Sequence, residues 1–392
     1  MTRPGAQGPL SGVRVLDLTH VLNGPFCTML LAHMGADVIK VEHGRGDMYR
    51  HAWMPAGVDR DGYEFSYVNS NKRAVTMNLK DPRGKELFRQ LVARVDVVVE
   101  NFSAGVMDRL GLGYEALKEI NPGLIYACSR GYGEDGPRSG IRANAATILA
   151  SSGWTHTAWE NAGSAGTKAL GVGDEASGIS MALGVVSALF ARERAGVGQK
   201  VSVAMQEALL AMMVSTFHSH YEGVVVGRNP QQCADGYVAF HTPAFTDATW
   251  KTFAEAMGHP EAVTDPRFAT AEARRRNFEE LEGEVLPAWV REKTREEMWR
   301  VIEVTGVSGA PVVEFAEVVA DAHLHARNAF VTVDGPDGRP MRMLAPWIRF
   351  SETPASLVSA GPSVGQHNAE VFEELLGLSA DRVRELGAEG VL

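Results

Sequence analysis

Three cysteines in 392 residues, Cys27, Cys128 and Cys233, are too few and too far apart for a disulfide framework. They form no CxxC pair and no metal knuckle, so they read as buried free thiols. Long hydrophobic runs are lacking too. No stretch of about 18 apolar residues is free of charged or polar breaks, which argues against a membrane span. The start, Met1-Thr2-Arg3-Pro4-Gly5, has neither the apolar core nor the cleavage site of a secretory leader. A cytoplasmic protein is the expectation. Positive charge is in deficit: 38 Lys and Arg against 48 Asp and Glu give a formal net charge of −10. That disfavours broad binding to nucleic acid or anionic membrane, yet leaves room for a small polyanionic ligand held by a few local cations. GxSxG, a Walker loop and a GxGxxG after the first strand are all missing. His323 and His325 lie two apart and so point to different helix faces; no metal site and no permanently bound cofactor is expected.

What is present is alternation. Val13–Leu18, Ala36–Glu42, Ala74–Leu79, Asp96–Glu100 and Leu124–Ser129 are short apolar runs with helical text between them. Pro25–Met34 reads as one such helix, closed by Gly35, and Lys80-Asp81-Pro82 opens another through about Val95. The pattern predicts an α/β fold with a mostly parallel sheet covered on both faces. Ligand loops in such sheets follow the carboxyl ends of strands, here after Leu18, Glu42, Glu100 and Ser129. Residues 140–177 are rich in Ala, Ser, Gly and Asn and read as a mobile or substrate-handling stretch. A long apolar helix is predicted from Ser177 to about Ala195, closed by Gly196 and Gly198, with Val201–Val214 continuing as helix or strand and helix. Charged helical text then fills 250–305, strand-like text returns over 328–350, and amphipathic helices end the chain. The domain reading is 1–224, a smaller α-rich domain over 225–328, and a return to the first domain over 329–392.

Cations recur at the predicted ligand edge: Arg45 and Arg50 after the second strand, Lys72 and Arg73 before the third, Arg109 after the fourth, Arg142 beyond the fifth. Each alone reads as a solvated surface charge; together they suit phosphate oxygens. Gly171-Val172-Gly173-Asp174 places a glycine-flanked acid just before the long helix. Asp there is most often a cap. The same geometry also suits a nucleophile. A helix amino terminus favours an ionised carboxylate, and glycines let a bulky ligand come close.

The order of short blocks decides between these. LSGVRVLDLTHVLNGPFCTMLLAHMGADVIKVE, Gly46-Asp47-Met48-Tyr49-Arg50, Asn71-Lys72-Arg73, Val99-Glu100-Asn101-Phe102 and Met107-Asp108-Arg109 come first. Gly196-Val197-Gly198-Gln199-Lys200, Met205-Gln206-Glu207, Cys233-Ala234-Asp235-Gly236-Tyr237, Gly309-Ala310-Pro311-Val312 and Gly365-Gln366-His367 follow. In this order the chain resembles the class III CoA-transferases, a group that includes formyl-CoA and carnitine CoA-transferases and 2-methylacyl-CoA racemases. The resemblance implies a Rossmann-like large domain, a smaller inserted α+β domain and an interlocked homodimer. It implies acyl-CoA donor and carboxylic acid acceptor as partners, with the coenzyme A thioester as substrate. Asp174 falls at the catalytic aspartate, which would carry CoA as an aspartyl thioester. The CoA site is implied near Val21 and Leu22, near Arg45, Lys72 and Arg73, and near Arg109 and Arg142. Gly171, Gly173 and Asn144 fall in the substrate and oxyanion vicinity.

The chain departs from its subgroups. Where the racemases carry a His-Asp pair, Asn144 and Ala145 stand, and neither is a base at neutral pH. The glutamine of formyl-CoA enzymes is absent near Leu22, as are their acid near Ala145 and their tetraglycine loop before Cys233. Leu22, Trp154 and Trp159 suggest a larger or more apolar acyl group. The alternatives carried beside the transferase are a 2-methylacyl-CoA racemase and a catalytically silent acyl-CoA binder.

Overall fold

A computed structural model describes residues 8–52, 54–55, 58, 60–162, 171–223, 230–241 and 246–392, with the backbone alone for 159–162. It divides into two compact units. The larger takes 1–156, 166–213 and 325–392; the smaller takes 157–165 and 214–324.

The larger unit is built on six strands: β1 (Arg14–Asp17), β2 (Asp37–Glu42), β3 (Arg73–Thr76), β4 (Val97–Glu100), β5 (Ile125–Arg130) and β6 (Gln199–Ala204). All pair in parallel, in the order β3-β2-β1-β4-β5-β6. Residues alternate between two cores, as a period of two requires. Leu16, Ile39, Val75, Val98 and Tyr126 pack with Phe88, Leu91, Phe372 and Leu386 on one face. Val15, Val38, Val97, Val99 and Ile125 pack with Phe26, Met29, Met181, Val185 and Leu189 on the other. Burial on both faces is why five of the strands read as plain apolar runs.

The sixth strand reads differently. Gln199–Ala204 is an edge strand with an exposed, partly polar face, and it hides behind two glycines. Gly196, at φ 72°, does end the long helix. Gly198 has another reason to be glycine. A Cβ there would lie 2.1 Å from the Leu124 carbonyl oxygen and 2.5 Å from the Gly123 carbonyl carbon. Both are backbone atoms and neither can swing aside. Gly198→Ala is expected to cost the larger unit roughly 2–3 kcal/mol. Thermal melting checks this, and a loss under about 0.5 kcal/mol would mean the strand can shift to make room.

Local chemistry sets the helices. Asn23–His33 (α1) follows β1 and is buried along its whole length. Pro82–Val92 starts on Asp81, whose side chain accepts from the Arg83 N–H, with Pro at the first turn. Ala145–Ser151 starts on a capping box between Asn144 and Thr147. The long helix, α2 here, runs Val172–Ala195 and begins five residues earlier than the sequence suggests. By length and composition it could cross a bilayer. Its apolar side, with Met181, Val185 and Leu189, instead packs in the second of the two cores. Residues 140–177, read as a mobile stretch, hold three helix segments; 163–170 lie outside the described residues.

Phe330–Asp334 and Pro340–Leu344 form an antiparallel hairpin around the turn at Asp334–Gly338. The smaller unit has a three-stranded antiparallel sheet of Gln231–Cys233, Gly236–Phe240 and Gly309–Pro311. Its own core gathers Trp250, Phe253, Phe268, Trp289, Met298 and Ile302.

Candidate active site

In this strand order the connections turn in opposite directions from β1 and from β4. A crevice therefore opens at their carboxyl ends. Two clefts lie there. One, of about 270 Å³, is walled by His20, Val21, Leu22 and Asn23 after β1, Asn101–Ala104 after β4, and Ser129–Gly131 at the end of β5. Residues 139–144, Met205 and Asp174 complete it. The other, of about 320 Å³, is lined by Leu18, His20, residues 41–43, residues 77–80, Phe102, Val106, Arg109 and Leu110. His20 and Phe102 belong to both walls.

Asp174 sits in the first turn of α2, three residues past the Gly171 cap at φ 87°. Its backbone carbonyl is pinned by Ser177 Oγ at 2.9 Å and by Asn23 Nδ2 at 3.4 Å. No described residue hydrogen-bonds its carboxylate, so this acid does not cap the helix. The sequence favours an ionised Asp174; the structure reverses that expectation. Burial, with the Glu175 charge beside it, pushes its carboxyl up to about 7. Desolvation outweighs the pull of the helix amino terminus because the carboxylate has no compensating donor. Glu175 is likewise raised, by burial and by Glu64.

The loop that faces Asp174 is held from beneath by buried charge. Lys72 Nζ donates to Asp17, Thr28, Asn69 and the Pro25 carbonyl at 2.7–3.1 Å. Lys40 Nζ donates to the Thr19 carbonyl at 2.9 Å and to Asp47 at 3.2 Å. Asp47 in turn accepts from the Val21 N–H. Burial opposes its ionisation, but the His20 contact and the Lys40 charge prevail and hold it far below the carboxylate range. Val21 needs this support. It is β-branched yet sits at φ 66°, a left-handed conformation that costs on the order of 1–3 kcal/mol. Asn101 grips the other side, accepting from the His20 N–H at 2.9 Å and donating to its carbonyl at 2.8 Å.

Of the residues singled out from sequence, Val21, Leu22, Arg142, Asn144 and Asp174 share the first cleft, and Arg109 lines the second. Gly171 and Gly173 lie in and before the first turn of α2, beside Asp174. Asn144 spends its side-chain oxygen on the Thr147 N–H. Arg45 is exposed on the loop after β2 and lines neither cleft. Lys72 and Arg73 need correction. Lys72 is 3% exposed with four protein acceptors. Arg73 is bound by Asp37, Glu370 and Glu374. Every Lys72 donor is consumed inside the protein, and Arg73 commits all but one of its N–H groups to those three carboxylates. Trp154 packs near Ile148, Leu149 and Met205 and lines neither cleft. The Trp159 side chain lies outside the described residues.

Sequence reasoning missed His20, Asp47, Asn101 and Ser129 as site residues. The signal for His20 was its place, two residues past Leu18 where a ligand loop is expected. Ser129 and Asn23 each keep a buried side-chain oxygen without a hydrogen-bond partner among the described residues, on the wall of the Asp174 cleft. Such atoms are costly when dry and suit a ligand that brings donors.

Known proteins bear on this arrangement. Residues 10–368 match the CoA-transferase family III. A formyl-CoA:oxalate CoA-transferase of Streptomyces avermitilis is 32% identical, covering 98% of this chain and 99% of the relative. A succinyl-CoA–D-citramalate CoA-transferase of Chloroflexus aurantiacus is 35% identical over 98% of each. The crystal structure of Rv3272 from M. tuberculosis superposes with a TM-score of 0.82 at 29% identity, covering 93% of this chain and 99% of that one. The chain belongs to CoA-transferase family III.

Proposed function

We propose that the protein moves coenzyme A between two carboxylic acids through an aspartyl thioester on Asp174. The observation that carries this is the Asp174 carboxylate itself. It is unbonded, lines the wall of the switch-point cleft, and is destabilised by burial to about 7. A carboxylate without donors is a better nucleophile than one tied up as a cap.

The cycle follows from bond-making at this one oxygen. Asp174 adds to the donor thioester carbonyl, the C–S bond breaks, and CoA leaves as a thiolate, giving a mixed anhydride. The thiolate attacks the Asp174 acyl carbon, freeing the donor acid and leaving aspartyl-CoA. The acceptor carboxylate then attacks that thioester, and the thiolate returns to the acceptor's acyl carbon. The aspartyl thioester is close in energy to the donor and product thioesters, so the exchange as a whole is not far uphill. The N–H groups of Val172, Gly173 and Asp174, unpaired in the helix as first-turn donors are, supply oxyanion contacts. Arg109 and Arg142 hold CoA phosphates in this reading, with Val21 and Leu22 against the pantetheine arm. A cytoplasmic, interlocked homodimer with 214–324 as an inserted domain belongs to the same proposal. Leu22 on the cleft wall favours an acyl group with an apolar part. The racemase reading is weaker because the cap Asn144 and Ala145 offer no second base.

Intact-protein mass after mixing with a panel of acyl-CoA thioesters tests it. A CoA adduct in wild type, removed by hydroxylamine and absent in Asp174→Ala, is expected. A thioester that turns over with no adduct, and with α-deuterium lost to solvent, would replace transfer by isomerisation.

A further inference from the structure

The transfer cycle above makes a thiolate in each half-reaction, and nothing in it so far says what receives that charge. We propose that His20 is a catalytic residue whose imidazolium holds the coenzyme A sulfur as a thiolate. This rests on the transfer reading.

The position comes first. Asp174 lines one cleft and Arg109 the other, while His20 and Phe102 line both. A CoA with its phosphates near Arg109 runs its pantetheine arm past His20 and Phe102, and with its carbonyl at Asp174 it places the adjoining sulfur in the cleft that His20 and Asp174 share. The hold comes second. Asn101 fixes the His20 backbone with two hydrogen bonds. The Phe102 ring lies 5.3 Å from the imidazole. Asp47, fully buried, reaches its Nδ1 at 3.8 Å from behind. Lys40 is paired to Asp47, and the other charged groups on the walls that His20 shares are Asp174, Arg142 and Arg130, itself paired to Glu100, in the first cleft, and Glu42, His43, Lys80 and Arg109 in the second. The strained Val21 next in the chain is pinned by the same Asp47. A surface histidine needs none of this apparatus.

The chemistry balances without proton transfer. As the Asp174 oxygen bonds to the thioester carbon, the electron pair of the C–S bond leaves on sulfur. His20, protonated with Nδ1–H toward Asp47, points Nε2–H at that sulfur. The ion pair persists until the thiolate attacks the Asp174 acyl carbon. A thiolate beside His⁺ is the usual way a protein keeps sulfur ionised at neutral pH. Asp47 and Asn101 are positioning residues, since they act through His20.

Free CoA and its desulfo analogue, which lacks the sulfur, distinguish this role from a structural one. Wild type at neutral pH is expected to bind CoA at least about tenfold tighter than desulfo-CoA and to develop thiolate ultraviolet absorbance on binding. His20→Gln is expected to bind the two equally, without that absorbance. Its kcat should fall on the order of 10²–10³-fold while KM changes less than about threefold. His20→Asn should behave alike, and both should melt as wild type, because the side chain is 32% exposed. A thiolate signal or a preference for CoA that survives either substitution overturns the proposal. Failure of wild type to bind either compound overturns the CoA reading beneath it.

Discussion

Asp174→Asn is expected to lose at least about 10⁴-fold in CoA transfer while gaining stability. The two effects share one cause. The carboxylate is half-buried without a donor, which makes it reactive and makes its charge expensive. Asparagine is nearly isosteric, so the cleft keeps its shape and only the nucleophile is lost. In wild type, the acidic limb of kcat/KM should rise with pH through about 7, because only the ionised form of Asp174 attacks. At pH 5.5 the ionised fraction alone lowers the rate roughly thirtyfold.

Stability runs the other way. The folded carboxyl, at about 7, lies above its unfolded value of 3.8. Below 3.8 both states are protonated and the group costs nothing. As pH rises past that value the unfolded chain ionises first, and the folded state loses ground until pH passes about 7. Asp174→Asn removes the whole effect. The variant should therefore melt above wild type, with the gap widening by about 1–2 kcal/mol between pH 5.5 and 8.5. Paired melting curves at the two pH values check it. A constant gap would mean that Asp174 is ordinarily solvated, and the basis for its reactivity would go with it.

How far the chain could be read before its fold was known depends on where each signal resides. β1 to β5 are buried on both faces, so their composition alone betrays them. β6 is an edge, exposed and partly polar, and its flanking glycines look like a helix end. The onset of α2 was hidden because Gly171 and Gly173 read as loop, and Gly171 enters the helix at φ 87° rather than in the extended conformation usual for a cap. Asp174 was legible because acid, glycines and a following helix are adjacent in sequence. The cations were not separable. Whether a cation is free for phosphate is decided by partners far away: Glu370 and Glu374 for Arg73, Asp17 for Lys72. His20 illustrates the same limit, since its orienting carboxylate is 27 positions on and its backbone clamp 81.

Lys72→Met is expected to cost the larger unit about 3–5 kcal/mol and most of the soluble yield. Lys72 and Asp17 are both fully buried, with Nζ and Oδ2 2.9 Å apart. Burial alone would raise Asp17, but Lys72 and Lys40 outweigh it and hold the carboxyl below its usual range. Removing the ammonium leaves a buried anion with hydrogen bonds from Thr19 and Thr28 and only the Lys40 charge to favour it, together with an Asn69 oxygen and the Pro25 carbonyl that have lost their donor. Methionine fills the volume, so the loss is electrostatic rather than a cavity. Asp17→Asn combined with Lys72→Met should recover more than half of the loss, because the second change removes the stranded charge. The cycle separates two roles for this lysine. A CoA contact would raise the KM for the thioester and leave the melting temperature near wild type. A structural pair does the reverse, lowering the melting temperature while the folded fraction keeps its KM. With four protein acceptors already around Nζ, the second outcome is the expected one, and unchanged stability in Lys72→Met would overturn it.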